Sequence, residues 1–202
     1  MVKMYKFAAY ERCFENNFQF NAEDLDSVLT ENTRLLMLNS PSNPTGVTYT
    51  KDQYQIIAEV LKNYPNVLIA TDDMYEHIYW GEDKFYSFAE ACPDLFERTI
   101  TINGVSKAYA MTGWRLGYAG GPKKLINQIN KIQSQSTTHT SSISQAAAIE
   151  ALNNSEEFIN KNKKVYQERR DIVFSKLKNF DGFDVFLPQG SFYIYVCCNN
   201  LM

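Results

Sequence analysis

Along this chain, short runs of apolar, β-favouring residues alternate with longer segments whose apolar residues recur every three or four positions. Three runs predict strands: Leu35-Leu36-Met37-Leu38, Val67-Leu68-Ile69-Ala70 and Thr99-Ile100-Thr101-Ile102. Between the first two, Thr50-x-x-Gln53 has capping-box spacing, and Ile56, Ile57, Val60 and Leu61 follow at helical intervals. After Pro122, Leu125, Ile126, Ile129 and Ile132 predict another helix, and the alanine-rich stretch from Ser144 to Leu152 predicts a third. Asn154-x-x-Glu157 then predicts the start of a long helix, in which Phe158, Val165 and Ile172 lie beside Ile159, Tyr166 and Val173. Its opposite face is heavily charged, which places it on the outside, joining two domains. The run from Gly190 to Val196, rich in aromatic and β-branched residues, predicts a last strand.

Strands alternating with helical segments are the pattern of an α/β fold, a parallel sheet covered by helices. Each of the three strands ends in polar residues: Asn39 onward, Thr71-Asp72-Asp73, and Asn103-Gly104-Val105-Ser106-Lys107. Open α/β sheets bind ligands outside the carboxyl ends of their strands, so the three clusters point to one crevice.

Composition narrows the partners. With 202 residues, 45% of them hydrophobic, the chain can build a core; a net charge of -3 with scattered Lys and Arg gives no footprint for nucleic acid. No apolar run approaches the roughly 18 residues of a membrane span, and charges occupy the start where a signal peptide needs apolar residues, so a soluble, cytoplasmic protein is expected. Cys13, Cys92, Cys197 and Cys198 lack CxxC spacing and are expected as reduced thiols, with no metal site. His77 and His139 have no ligand-like spacing and are expected to be structural.

The polar clusters carry the candidate chemistry. In Asn39-Ser40-Pro41-Ser42-Asn43-Pro44-Thr45-Gly46, Pro44 biases Asn43 towards extended backbone and Gly46 allows a reversal, which makes either an ordinary loop or a rigid mount for the Asn43 amide. Asp72, at the end of an apolar strand, either caps a following helix or faces a cationic ring nitrogen, which it would hold protonated. Tyr75 either packs in the core or offers its phenol to the same ligand. Lys107 is either a surface lysine or, among small and apolar neighbours, an amine suited to attack a carbonyl. Ser106 and Arg115 are donors of the kind that suit a phosphate dianion, although Arg115 could equally sit in an exposed salt bridge.

Taken together, Asn43-Pro44-Thr45-Gly46, Asp72 with Tyr75, and Ser106-Lys107 with Arg115 resemble the ordered motif set of class I aminotransferases of pyridoxal-phosphate fold type I. The resemblance runs from about Tyr5 to Val196, and Met111-Thr112-Gly113-Trp114-Arg115-Leu116-Gly117-Tyr118 is most similar to a subgroup containing many prokaryotic aspartate aminotransferases. It implies a large cofactor-binding domain over residues 1–170, lacking its N-terminal part, and the beginning of a smaller α+β domain over residues 171–202. It implies Lys107 as the residue that carries pyridoxal 5'-phosphate as an aldimine and later shuttles a proton, and Asp72 as partner of the pyridine nitrogen. Asn43 and Tyr75 are implied at the ring's phenolic oxygen, Asn43 also at the substrate, and Ser106 and Arg115 at the phosphate. The implied substrates are an aspartate-like or aromatic amino acid and a 2-oxo acid, and the implied full-length assembly is a homodimer.

The chain departs from the family in two respects. Gly104 stands where some members place another phosphate-binding serine. Members are also about twice as long, so the glycine-rich phosphate loop and ring-stacking aromatic are expected before Met1, and the arginine for the substrate carboxylate beyond Met202. The chain therefore reads as a central fragment, expected to be inactive alone. The same fold also hosts lyases and synthases, and a non-catalytic truncated chain is the remaining alternative. Ser134 to Ser142 reads either as a linker or as a segment near a dimer interface.

Overall fold

The computed structural model describes residue 18 and residues 21–198. Its elements in chain order are α1 (Ala22–Val28), β1 (Leu35–Asn39), α2 (Lys51–Lys62), β2 (Leu68–Asp72), α3 (Phe88–Ala91), β3 (Thr99–Gly104), β4 (Gly117–Gly120), α4 (Lys123–Ser134), α5 (Ser142–Asn154), α6 (Glu156–Leu177), β5 (Asp184–Val185) and β6 (Val196–Cys197). Strands β1 to β4 lie side by side in that order, with β1, β2 and β3 parallel and β4 antiparallel to β3; β5 and β6 pair separately as a short antiparallel ribbon. This is a mixed α/β architecture with a mostly parallel sheet, the class expected from the sequence.

Register explains how the sheet places its side chains. Leu36 pairs with Ile69 and Leu38 with Thr71, and Ile69 and Thr71 pair in turn with Thr99 and Thr101. Because side chains alternate across a strand, these residues share one face. Helices close that face: Leu36, Leu38 and Ile69 join Leu25 of α1, Tyr54, Ile57 and Leu61 of α2, and Phe88 of α3 in one buried cluster. Each such side chain contributes roughly 1.5–3 kcal/mol on burial. The opposite face carries Leu35, Met37, Leu68 and Ile102, all of which keep substantial exposure, Met37 as much as 66%.

Local signals account for the helix that covers the closed face. The expected capping box of α2 is present, with Gln53 N donating to Thr50 Oγ1 and Thr50 N to Gln53 Oε1. At the far end, the Arg98 guanidinium donates to the carbonyls of Leu61, Tyr64 and Val67, so a cation satisfies acceptors at and just beyond the helix C-terminus, where the helix dipole also favours it.

Two expectations require correction, and one strand was not expected. Asn154 does not open the long helix: it is the last residue of α5, its amide turned back to Glu150 Oε1, and Ser155 is the N-cap of α6. Two helices sharing a junction produce the same apolar periodicity as one helix with a misplaced start. The run Gly190 to Val196 is not a continuous strand, because Ser191 takes a left-handed φ of 59° and breaks it; Gly190 makes an isolated bridge to Tyr79, and Val196 pairs with Val185. The four-residue strand β4 has the composition Gly-Tyr-Ala-Gly, which has little strand propensity, and β3 templates it. Helix α6 has no fully buried residue and lies on the outside as expected.

Among the described residues no helix is long and apolar enough to cross a membrane. Cys92, Cys197 and Cys198 are free thiols, while Cys13 lies outside the described residues.

Candidate active site

Strand order brings the three polar clusters together. Asn39, the last residue of β1, pairs in register with Asp72, the last of β2. Its Nδ2 donates to the Asp72 carbonyl at 2.9 Å, while its Oδ1 accepts from Asn43 N at 2.6 Å. Asn39 thus mounts the Asn43 loop on the end of β2, a role the sequence reading missed because Asn39 looked only like the start of a turn. Beyond it the chain reverses at Gly46, whose φ of +74° is the left-handed conformation that favours glycine.

Asp72 is half-buried at the strand's carboxyl end, and its Oδ1 accepts from Met74 N at 3.2 Å. No helix follows it directly, so it is not a helix cap. Tyr75 is almost fully buried. Burial raises the pKa of its phenol, as do a hydrogen bond to Tyr193 and the charge of Asp72, while the Asn43 side chain pulls it partly back. Asn43, 32 positions before Tyr75, therefore reaches its phenol.

Lys107 follows β3 and is half-buried. Its Nζ lies 5.8 Å from the centroid of the Tyr75 ring and 5.8 Å from that of Phe192, which sets the amine between two aromatic faces. Ser106, beside it, is also half-buried. Arg115 is exposed and left-handed, with φ 52°, after a single 3₁₀ turn, Thr112–Trp114, and its Nη1 donates to the Thr112 carbonyl at 2.8 Å. A Cβ at Gly104 would meet the Leu116 carbonyl at 2.9 Å and Met74 Cε at 3.1 Å, so the position is packed for glycine.

Phe192 and Tyr193, read from the sequence as strand, lie against Tyr75 and Lys107. Tyr75 Oη and Tyr193 Oη are 2.9 Å apart, and the Tyr75 and Phe192 rings meet edge to face at 5.3 Å. The only sequence signal was an aromatic run, which strands share. His77 Nε2 lies 3.3 Å from Tyr109 Oη, and His139 Nδ1 lies 2.8 Å from the Thr140 carbonyl oxygen. The segment between α4 and α5 connects two helices, with Thr138 in a left-handed turn.

A lysine amine thus stands between aromatic faces at the carboxyl edge of a mostly parallel sheet that also ends in an acid. The model of the family described as aminotransferase class I and II matches residues 1–202. A protein of Rhizobium leguminosarum bv. phaseoli named "Probable aspartate/prephenate aminotransferase" is 48% identical over 188 residues, covering 93% of this chain and 47% of that protein. Among solved structures, an aspartate aminotransferase from Rhizobium meliloti superposes with a TM-score of 0.89 at 46% identity, covering 93% of this chain and 47% of the other. An aromatic aminotransferase from Pyrococcus horikoshii OT3 superposes at 0.85 with 36% identity, covering 90% and 48%. The chain belongs to the class I and II aminotransferase family. It spans about half the length of the curated relatives it matches.

Proposed function

We propose that the intact protein containing this chain transfers an amino group from an amino acid to a 2-oxo acid, with pyridoxal 5'-phosphate held on Lys107. The observation that carries this reading is the placement of the Lys107 amine 5.8 Å from the ring of Tyr75, whose phenol lies beside Asn43. The donor set fits the group: an amine for its aldehyde, a carboxylate for its ring nitrogen, a phenol and an amide for its ring oxygen, and a hydroxyl with a guanidinium for its phosphate. Bound there, pyridoxal phosphate supplies an electron sink for the pair left when a bond to the substrate Cα breaks.

The side chains divide the remaining work. Asp72 stabilises a proton on the ring nitrogen, since opposite charges in a poorly solvated site favour each other. Tyr75 and Asn43 hydrogen-bond the ring oxygen and fix the ring's tilt, and Asn43 also faces the substrate. Ser106 and Arg115 grip the phosphate, Arg115 through a planar fork that matches its oxygens. The Lys107 amine takes the proton from the substrate Cα. Aspartate is the preferred donor in this reading, because relatives named for aspartate and for aspartate/prephenate share 46–48% identity with the chain.

The same reading assigns residues 1–170 to a cofactor-binding domain and residues 171–202 to the start of a smaller one, with the boundary inside α6; the separate β5–β6 ribbon supports it. It also makes the intact protein a cytoplasmic homodimer. Borohydride reduction of the loaded intact protein followed by peptide mapping tests the assignment, together with product analysis using aspartate, an aromatic amino acid and S-adenosylmethionine. A reduced pyridoxyl group on Lys107 and glutamate formed from 2-oxoglutarate support it. A label on another lysine, or elimination products in place of glutamate, overturns it.

A further inference from the structure

Tyr75 is held by a residue 118 positions away: its Oη lies 2.9 Å from Tyr193 Oη. The Tyr193 ring packs on the Tyr75 ring at 5.8 Å and 74°, and neighbouring Phe192 shares the amine of Lys107 with Tyr75. The segment that carries both aromatics is fastened to the two loops of the site. Gln189 N and Gly190 N both donate to the Gly46 carbonyl at 3.1 Å, and Thr48 Oγ1 donates to Gln189 Oε1. On the other side Trp80 N donates to the Gln189 carbonyl, and Ser191 N to the Ile78 carbonyl. Gly46 and Gly190 allow this close approach, because a Cβ on the first would lie 2.4 Å from Pro188 Cβ and on the second 2.5 Å from Pro41 Cβ.

A phenol has one proton. Either hydroxyl can donate across this contact, and a proton pointing from Tyr75 to Tyr193 adds to burial in raising the Tyr75 pKa; if Tyr75 instead gives its proton to the ring oxygen of the cofactor, its own oxygen is left to accept, and the Tyr193 hydroxyl is in reach to donate. We propose that Tyr193 is a positioning residue of the cofactor site, whose O–H donated to Tyr75 commits the Tyr75 proton to the cofactor's ring oxygen. This rests on the reading that pyridoxal phosphate binds at Lys107. Two hydroxyls in series polarise one another, so Tyr193 strengthens the bond that Tyr75 makes. A stronger donor at the ring oxygen stabilises negative charge there and weakens that oxygen's hold on the proton shared with the lysine-linked nitrogen. Removing the Tyr193 hydroxyl therefore raises the pKa of that proton.

The test is a visible-absorption pH titration of the intact, cofactor-loaded protein, comparing wild type, Tyr193→Phe, Tyr75→Phe and the double variant. Tyr193→Phe removes one oxygen and keeps the ring packing. The expected midpoint shift for Tyr193→Phe is upward by about half a pH unit, a roughly threefold change in proton affinity. Tyr75→Phe should shift it further in the same direction, and the double variant no further than Tyr75→Phe alone, since the two act in series. An unchanged midpoint in Tyr193→Phe, or additive shifts in the double variant, overturns the proposal while leaving cofactor binding at Lys107 intact. A wild-type protein with no visible band, or with the cofactor trapped on another lysine, overturns both.

Discussion

Asp72 and Asp73 are adjacent in sequence and belong to opposite sides of the sheet. Asp72 ends a series with Leu68 and Ala70 on the face where Leu35, Met37 and Ile102 remain exposed, and it is half-buried. Asp73 continues the series Ile69 and Thr71 on the face closed by α1, α2 and α3, and it is 1% exposed. Among the described residues no donor meets either of its carboxylate oxygens in good hydrogen-bond geometry, and the same holds for the buried Tyr54 hydroxyl, whose titration Ser40 and Asp73 influence. Burial raises the Asp73 pKa to about 7; the nearby Thr71 hydroxyl offsets this in part, and the charges of Glu76 and Asp72 add to it. Two identical side chains thus receive different tasks from the face they occupy: one can meet a ligand, the other must stay neutral or destabilise the fold.

The contrast fails first if the closed face is not the stabilising one. Phe88 is fully buried and meets Tyr54 edge to face at 5.3 Å. Phe88→Ala should cost about 3–5 kcal/mol, read from urea denaturation; a cost below about 1 kcal/mol would mean that the cluster is not a packed core.

Asp73 sharpens it through pH. Its folded pKa, about 7, lies above the ordinary aspartate value of 3.8, so the unfolded chain releases this proton first. Stability from this group is therefore complete at low pH and is lost as pH rises towards 7. Between pH 5 and 8 the wild type should lose about 3 kcal/mol relative to Asp73→Asn, which has no carboxyl to ionise. Parallel stability profiles for the two proteins over that range would refute a raised pKa.

For Asp72 the expected effect is on chemistry rather than folding. In the intact protein, Asp72→Asn should leave the unfolding midpoint nearly unchanged and lower kcat by about 100-fold or more, equivalent to about 2.7 kcal/mol, because its charge matters most as negative charge develops at the substrate Cα. Near-wild-type turnover would remove its role at the ring nitrogen. The smallest effect belongs to the exposed apolar residues of the helical half. Ile132 of α4 is 72% exposed, and Ile132→Ala in the chain as described should change stability by less than about 0.5 kcal/mol. A larger loss in the intact protein than in this chain would show that another part of the protein or a second copy covers that surface.

The positions of the proposed site residues were legible because each motif is local. Asn43, Asp72, Tyr75, Ser106, Lys107 and Arg115 follow or end strands whose apolar runs are unambiguous, and strand ends are where ligands bind in such sheets. Asn39 was hidden because its function is two bonds to residues brought near by parallel pairing of β1 with β2. Strand β4 was hidden because a four-residue Gly-Tyr-Ala-Gly strand depends on β3 for its hydrogen bonds. The start of α6 was misplaced by one residue, since Asn154 and Ser155 are both good N-cap types and only backbone geometry separates them.

By itself the sequence determined the α/β class, the capping of α2 and the polar clusters at the strand ends, since periodicity, caps and strand-end polarity are properties of neighbouring residues. The tertiary structure decided which carboxylate is buried, that Phe192 and Tyr193 return to Tyr75 and Lys107, and that Gly46 and Gly190 let them do so. These depend on contacts between residues far apart in sequence, 85 positions for Phe192 and Lys107 and 118 for Tyr193 and Tyr75, which a pattern of period two or 3.6 cannot encode.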